Sequence, residues 1–182
     1  MKWPFVIGVL SDTHGYLDPQ VFSLFKDVDH ILHAGDLGSE EVAVELEALA
    51  PLTAVSGNVD GHLPPGRFPS FNRFKARGWS FLVTHEVLME DLIIEELERV
   101  LELERADVVI FGHSHQPFYG QVGDQYLFNP GAAGKKRFRL PRTVGRLVIE
   151  KDGTLRSSVI SLEGESEDEG TFVVRGPLGG GK

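Results

Sequence analysis

Short apolar runs alternate with amphipathic segments through the first part of the chain. Residues 5–10 form an almost unbroken apolar run that ends in a turn signal, which is typical of a strand buried on both faces of a parallel sheet. Similar short runs end near residues 34, 55, 83 and 111. The segments between several of these runs read as helices, so the alternation predicts parallel βαβ units.

Three segments carry helix signals. Asp18 is followed by proline, which suits a capping side chain and the first helical position. Ser39 precedes two glutamates, and acidic side chains are favoured at the positive end of a helix. Residues 90–105 show an amphipathic pattern that predicts a third helix. Residues 61–78 fit neither a regular helix nor a strand, and they could hold a short edge strand.

Beyond residue 115 the helix patterns stop and strand patterns follow. Gly-Asp and Asp-Gly turns join them, which indicates antiparallel hairpins. The predicted strands are residues 117–122, 125–128, 143–150 and 154–162. We therefore expect two sheets packed face to face with helices outside, forming one domain over residues 1–162. Residues 163–182 are acidic and then glycine-rich, which predicts a mobile tail, with residues 171–175 as an alternative added strand.

Side chains able to ligate a metal follow five of the apolar runs. In open α/β sheets, ligands bind at the carboxyl ends of the strands. The candidates at these positions are Asp12, His14, Asp36, Asn58, His85, His113 and His115. Helix caps and turn histidines would explain one or two of these positions. Five strand ends in succession instead predict one site along a sheet edge.

The set of side chains indicates the kind of metal. Carboxylate, amide and imidazole ligands without a thiol suit Mn²⁺, Fe²⁺ or Zn²⁺. Seven ligands are too many for one ion, whereas two ions that share a bridging carboxylate would use all of them. Ions roughly 3.5 to 4 Å apart suit in-line displacement at phosphorus, because the pair acidifies a bridging water and neutralises phosphate charge.

Composition and charge limit the possible catalytic types, partners and cellular compartment of the protein. The chain has 182 residues, no cysteine and a formal net charge of −9. The lack of cysteine excludes disulfides and thiol catalysis and fits a reducing cytoplasm. The net negative charge opposes nucleic acid as a stable partner. We see no signal peptide and no membrane span, so we expect a cytoplasmic protein. The sequence leaves open whether the protein forms a homo-oligomer.

The candidate residues, in this order and at this spacing, closely resemble those of the calcineurin-like metallophosphoesterases. The length and the form Gly57-Asn58-Val59-Asp60 are most similar to the small bacterial and archaeal phosphodiesterase branch. The resemblance covers roughly residues 5–162. It implies a four-layer α/β/β/α sandwich of two mixed sheets. It also implies a dinuclear metal-dependent phosphodiesterase or phosphatase that hydrolyses phosphate-ester small molecules with a metal-bridging hydroxide. The expected metal is Mn²⁺, with Fe, Zn and Ni as alternatives.

The resemblance also implies a role for each candidate. Asp12, His14 and His115 would ligate the first ion. Asn58, His85 and His113 would ligate the second, and Asp36 would bridge the two. Asn58 would also contact the substrate phosphate and thereby take part in catalysis. The turn that begins at Asn129 resembles a structural turn of the same branch.

Two positions depart from the family pattern. Val59 stands where many relatives have a histidine thought to protonate the leaving group or to hold the phosphate. General acid catalysis is worth about 10²- to 10⁴-fold, so its loss predicts a preference for esters with good leaving groups. Glu86 stands where a glycine commonly follows the strand-end histidine.

The remaining histidines and the one basic cluster have simpler interpretations. We expect His30 and His33 to make local hydrogen bonds or to support the metal ligands, and His62 to be a solvated loop residue. The basic cluster consists of Lys135, Lys136, Arg137, Arg139 and Arg142. It could steer phosphates to the site, but an exposed hairpin with solvated charge explains it at least as well.

Two other functions compete with the phosphoesterase. A trafficking subunit of retromer shares the implied fold and acts as a non-catalytic interaction scaffold, with its metal residues partly replaced. The complete set of candidate ligands in this chain favours catalysis. A doubly wound nucleotide-binding module ranks last, because no glycine-rich loop follows the first strand.

Overall fold

The computed structural model describes residues 2–89, 92–93, 99, 102, 105–136, 140–164 and 172–175. Within these residues the strands are β1 (Phe5–Leu10), β2 (His30–His33), β3 (Leu52–Ala54), β4 (Phe71–Ala76), β5 (Trp79–Thr84), β6 (Leu88–Met89), β7 (Leu92–Ile93), β8 (Val108–Ile110), β9 (Phe118–Val122), β10 (Gln125–Asn129), β11 (Thr143–Ile149), β12 (Thr154–Ser161) and β13 (Phe172–Arg175). The helices are α1 (Pro19–Leu24), α2 (Glu40–Glu47) and a 3-10 turn at Asp60–His62.

The first sheet is mixed, with the strand order β13-β12-β11-β1-β2-β3. The strands β1, β2 and β3 run parallel to one another. On the other side of β1, the strands β11, β12 and β13 continue the sheet in antiparallel pairs. The predicted hairpins are thus divided between two sheets: β11 and β12 extend the first sheet beside β1, whereas β9 and β10 belong to the second.

The second sheet is also mixed, with the order β4-β5-β8-β10-β9. Its three central strands are parallel, and β4 and β9 are antiparallel edge strands. The strand β4 lies within residues 61–78, where the sequence pattern allowed a short edge strand.

The main core lies between the two sheets. Ile7 and Val9 of the first sheet pack in one buried cluster with Trp79, Phe81 and Phe128 of the second. A second cluster joins the outer face of the first sheet to α1 and α2 through side chains such as Phe25 and Leu46. A third lies on the outer face of the second sheet and contains Leu82, Val87 and Leu127. This layering confirms the predicted sandwich of two mixed sheets.

The helix starts predicted at Asp18 and Ser39 are also present. The Asp18 carboxylate accepts a hydrogen bond from the Gln20 amide at 2.9 Å and caps α1. The helix α2 begins directly after Ser39 with two glutamates in its first turn.

The helix predicted over residues 90–105 is wrong at its start. Leu92 and Ile93 form β7, which pairs with β6 in a two-stranded sheet. Arg99 and Glu102 are helical. The other positions of this predicted helix, apart from Arg105, lie outside the described residues.

The strand β13 agrees with the alternative interpretation of residues 171–175 as an added strand. It pairs with β12 at the edge of the first sheet, and Val174 is buried in the core between the sheets. Apart from this strand and residues 163–164, the predicted tail lies outside the described residues, so the division at residue 163 stays a prediction. Among the described residues, none of the helices has the length and apolar character of a membrane-spanning helix.

Candidate metal centre

The seven candidate ligands follow the carboxyl ends of five strands from both sheets. Asp12 and His14 follow β1, Asp36 follows β2 and Asn58 follows β3 in the first sheet. His85 follows β5, and His113 and His115 follow β8 in the second. The site therefore lies where strand ends of the two packed sheets face each other.

One group of side chains forms around His14 and His115. Their Nε2 atoms lie 3.3 Å apart. The Asp12 Oδ1 atom lies 3.1 Å from His115 Nε2 and 4.0 Å from His14 Nε2. Three possible ligand atoms from the loops after β1 and β8 thus converge within a space that one cation could fill.

A second group forms around His85 and His113. The Nε2 atom of His85 lies 3.4 Å from His113 Nδ1 and 3.1 Å from the Asn58 amide oxygen. The Nδ1 atom of His85 donates to the Ala34 carbonyl at 2.8 Å. Because a carbonyl can only accept, this bond assigns the proton to Nδ1 and leaves Nε2 facing the centre.

Asp36 lies between the two groups. Its Oδ2 atom is 3.8 Å from His14 Nε2 and 3.5 Å from His85 Nε2, while Oδ1 accepts from the Val59 amide at 3.0 Å. Burial opposes ionisation of Asp36, but the His85 ring and the Val59 amide outweigh it and lower its pKa to about 2. The carboxylate is therefore charged at neutral pH and within reach of both groups.

The chemistry of these groups fits bound cations. The buried Asp12 Oδ1 atom makes no hydrogen bond of normal geometry, although His115 Nε2 lies 3.1 Å away and a buried carboxylate oxygen normally has a partner. Two pairs of imidazole nitrogens also face each other at about hydrogen-bond distance. Burial opposes the charged form of His85, yet Asp36 and the Ala34 carbonyl raise its pKa. The site therefore favours a positive charge next to Asp36, which a bound cation would supply. A mixed set of carboxylate and imidazole ligands suits ions of intermediate hardness.

The backbone is left-handed at five of the seven positions. The φ angles are 55° at Asp12, 49° at His14, 55° at Asp36, 67° at His113 and 58° at His115. Non-glycine residues rarely adopt this conformation, and clusters of such residues are typical of functional sites. Hydrogen bonds between the loops hold it, including those from the His14 amide to the Asp36 carbonyl at 2.9 Å and from the Gly112 amide to the His85 carbonyl at 3.0 Å.

Asp60 organises the loops of the site, a role that its sequence position did not predict. Its carboxylate is buried and accepts from the amides of Leu37, Gly38 and Gly57 at 3.1, 2.8 and 2.8 Å. It thereby ties the loop of Asp36 to the loop of Asn58. Its place two residues after Asn58 was the available signal, because an aspartate in a glycine-containing turn often accepts from nearby amides.

Asn129 supports the loop that carries His113. Its side-chain amide donates to the Gly112 carbonyl at 2.8 Å, and its oxygen accepts from the Gly131 amide at 2.8 Å. This bonding agrees with the structural role implied for the turn. Thr13 similarly contacts His33 Nε2 at 3.0 Å, so His33 makes the local hydrogen bond expected of it.

The two departures from the family pattern both lie at the centre. Val59 is 37% exposed, and its amide donates a hydrogen bond to the Asp36 carboxylate. Glu86 has a carboxylate oxygen 3.6 Å from His113 Nε2. Carboxylates in this position often orient a metal-ligating histidine through its second nitrogen.

The remaining histidines and the basic cluster have mixed outcomes. His30 bonds to Thr53 at 2.8 Å, and the exposed His62 contacts backbone carbonyls of Val59 and Gly38. Within the basic cluster, Lys136 pairs with Glu163, and Arg142 pairs with Asp18 and Glu163. Lys135 lines a small cleft beside His14 and His115. Arg137 and Arg139 lie outside the described residues.

Sequence comparisons place this chain among phosphoesterases. The profile of the calcineurin-like phosphoesterase superfamily domain matches residues 5–152. A probable metallophosphoesterase of Methanothermobacter thermautotrophicus is 38% identical over 154 residues, which are 81% of this chain and 87% of that protein. A phosphodiesterase of Methanocaldococcus jannaschii is 31% identical over 166 residues, covering 80% of this chain and 93% of that protein.

Structural comparisons agree on the fold. The structure of vacuolar protein sorting 29 from Cryptosporidium parvum matches with a TM-score of 0.80 at 17% identity, covering 96% of this chain and 100% of that one. An archaeal phosphodiesterase matches with a TM-score of 0.65 at 27% identity, covering 86% of this chain and 100% of that one. The first likeness concerns the fold alone. On the profile match and the identity to its archaeal relatives, the chain belongs to the calcineurin-like phosphoesterase superfamily.

Proposed function

We propose that this protein is a dinuclear metal-dependent phosphodiesterase. The observation that carries the proposal is the position of the buried Asp36 carboxylate between two converging ligand groups, with Oδ2 3.8 Å from His14 Nε2 and 3.5 Å from His85 Nε2. A single carboxylate placed in this way could be shared by two cations. The relatives named as a metallophosphoesterase and a phosphodiesterase support this chemistry.

The residues would divide between two ions, with Mn²⁺ the expected metal and Fe, Zn or Ni as alternatives. Asp12, His14 and His115 would hold the first ion, and Asn58, His85 and His113 the second. Asp36 would contact both. When bound, such a pair of ions acidifies a bridging water to a hydroxide nucleophile and offsets charge on the phosphate.

The chain itself prepares this site in three ways. The Ala34 carbonyl fixes the tautomer and ring orientation of His85. The Val59 amide holds Asp36 through Oδ1, which leaves Oδ2 directed toward both histidines. The Asn58 amide lies beside His85 and would contact the substrate phosphate as well as the metal. Because residue 59 is a valine, which cannot donate a proton, solvent would protonate the leaving group.

The proposed substrate is a small phosphate diester in the cytoplasm. The cysteine-free composition fits a reducing compartment, and the net charge of −9 disfavours nucleic acid as a stable partner. The likeness to vacuolar protein sorting 29 leaves a scaffold role as the alternative, but that likeness extends to the fold only.

A metal-dependence assay tests the proposal. The full chain, treated with chelator and then reloaded with Mn²⁺, should lose and regain hydrolysis of bis-p-nitrophenyl phosphate. Asp12→Asn should abolish the activity, whereas His62→Ala, which changes an exposed histidine outside the ligand groups, should retain it. A folded wild-type protein that binds no transition metal and hydrolyses no diester would support the scaffold instead.

A further inference from the structure

An apolar pocket opens beside the candidate metal centre. Its volume is about 400 Å³. Pockets for small ligands typically measure about 300 to 1,000 Å³ and are lined mostly by hydrophobic and aromatic side chains. Among the described residues, its apolar lining includes Val87, Val109, Phe111, Phe118, Val122 and Leu127.

The pocket has a buried floor and an exposed wall. Val87, Val109 and Leu127 form the floor and belong to the core cluster on the outer face of the second sheet. Phe118 and Val122 form the wall on β9 and are each 46% exposed. The Phe118 and Phe111 rings lie 6.1 Å apart at an interplanar angle of 58°, a tilted arrangement that presents aromatic surface to the cavity.

His113 joins the pocket to the metal centre. Its Nδ1 atom lies 3.4 Å from His85 Nε2, and its Nε2 atom lies 3.6 Å from the Glu86 carboxylate. Both His113 and Glu86 also line the pocket. A phosphate held at the centre would therefore have one of its ester groups within one side chain's width of the apolar surface.

The negative charge between the pocket and the metal centre limits which substrate groups can enter the pocket. Glu86 lines the pocket with its carboxylate 3.6 Å from His113 Nε2, and like charges in a partly desolvated site repel. A second anionic group on the substrate would be disfavoured there. An uncharged aromatic ring suits both the apolar lining and the two phenylalanine rings.

We propose that this pocket binds an uncharged aryl ester group of the substrate while the phosphate occupies the metal centre. The inference rests on the proposed phosphodiesterase function and extends it by naming a substrate class, aryl phosphodiesters. Phe118 and Val122 act as specificity-determining residues, because they supply the exposed apolar wall that an aryl group would cover.

Two phosphonates test the pocket separately from hydrolysis. The full chain loaded with Mn²⁺ is titrated calorimetrically with phenylphosphonate and with methylphosphonate, which share the same anionic head. Phenylphosphonate should bind about tenfold more tightly, because burial of its ring adds a hydrophobic contribution that a methyl group lacks. The ratio of the two Kd values is the quantity compared among variants.

Two substitutions should lower this ratio. Phe118→Ala and Val122→Ser should each reduce it at least threefold while changing methylphosphonate binding little. Phe22→Ala is the matched control, because Phe22 is 38% exposed on α1 and does not line the pocket. It should keep the wild-type ratio.

The outcomes separate the pocket from the centre. Equal binding of both phosphonates by the wild-type protein would overturn the pocket assignment and leave the metal centre standing. The pocket assignment would also be overturned if both the Phe118→Ala and the Val122→Ser proteins kept the wild-type ratio of the two Kd values. Failure of the Mn²⁺-loaded protein to bind either phosphonate would overturn the proposed function and this inference with it.

Discussion

At the residue scale, the site depends on backbone geometry that most side chains avoid. Asp12 and Asp36 both have φ angles of 55°. The neighbouring glycine positions are as restrictive, because a Cβ atom at Gly57 would collide with the Asp36 carboxylate and amide nitrogen. Such strain costs of order 1 to 3 kcal/mol per residue. We infer that packing and hydrogen bonds in the fold offset this cost and hold the candidate ligands toward one another.

Val59 gives a prediction about leaving groups. Val59→His should raise kcat/KM for alkyl esters by roughly tenfold or more, since a positioned proton donor helps poor leaving groups most. The rate on p-nitrophenyl esters should change much less, because p-nitrophenolate leaves without protonation. Steady-state kinetics on both ester classes measure the difference. Equal gains on the two classes would show that a missing proton donor is not what limits this enzyme.

His30 gives a prediction about pH and stability. Its ring stacks on Phe74 with centroids 3.8 Å apart, and burial lowers its pKa from 6.5 to about 4. The unfolded chain therefore takes up a proton below about pH 6.5, while the folded protein resists it until about pH 4. Stability contributed by neutral His30 is lost as the pH falls through this window.

Urea denaturation of the metal-free protein measures this effect. The free energy of unfolding of the wild type should fall relative to that of His30→Gln as the pH drops from 6.5 to about 4. The buried His33 titrates in both proteins, so its contribution cancels in the comparison. A difference that stays constant with pH would contradict the lowered pKa.

At the element scale, β13 forms one edge of the first sheet. Val174 is 7% exposed and packs in the core between the sheets, whereas Val173 is 47% exposed on the opposite face. Val174→Ser should lower the free energy of unfolding by about 1 to 3 kcal/mol, because it removes buried methyl groups and buries a hydroxyl.

Val173→Ser is the matched control for this strand. It changes strand propensity in the same way but should alter stability by no more than about 0.5 kcal/mol, as exposed substitutions usually do. Thermal and urea denaturation of the two variants give the comparison. Equal stability of the two proteins would indicate that β13 does not contribute to the core in solution.

The elements differ in how well the sequence predicts them. The strand β1 and the capped start of α1 follow directly from local signals, namely an apolar run and Asp18-Pro19. The strand β4 carries polar residues such as Arg73 and Lys75 on a sheet edge, so it has no clear period of two. Leu92 and Ile93 fit a helical pattern equally well, and only pairing with β6 makes them a strand.

The candidate site was predictable in composition but not in detail. Side chains able to ligate a metal after five strands predicted the seven residues, but along one edge of a single sheet. The structure instead divides them between strand ends of the two packed sheets. The left-handed conformation of His14 and His113 carries no local sequence signal. The role of Asp60 depends on three amides from two loops, and only the folded chain brings those loops together.

At the scale of the whole molecule, the two sheets act as one support for the site. The first sheet supplies Asp12, His14, Asp36 and Asn58, and the second supplies His85, His113 and His115. Because the apolar core between the sheets fixes their relative position, packing holds the candidate ligands at their spacing. Bound metal should nevertheless raise the melting temperature, since the unfolded chain lacks the assembled site.

Titration of two variants with Mn²⁺ in a calorimeter tests most directly whether Asp36 joins two metal sites. The wild type should bind two ions, and His85→Ala should keep the first ion and lose most affinity for the second. Asp36→Asn should lose affinity at both sites, because the shared carboxylate lies within reach of His14 and His85. Circular dichroism should show that both variants stay folded, since neither residue belongs to the apolar core. An Asp36→Asn protein that binds two ions with wild-type affinity would contradict the bridging role and the account built on it.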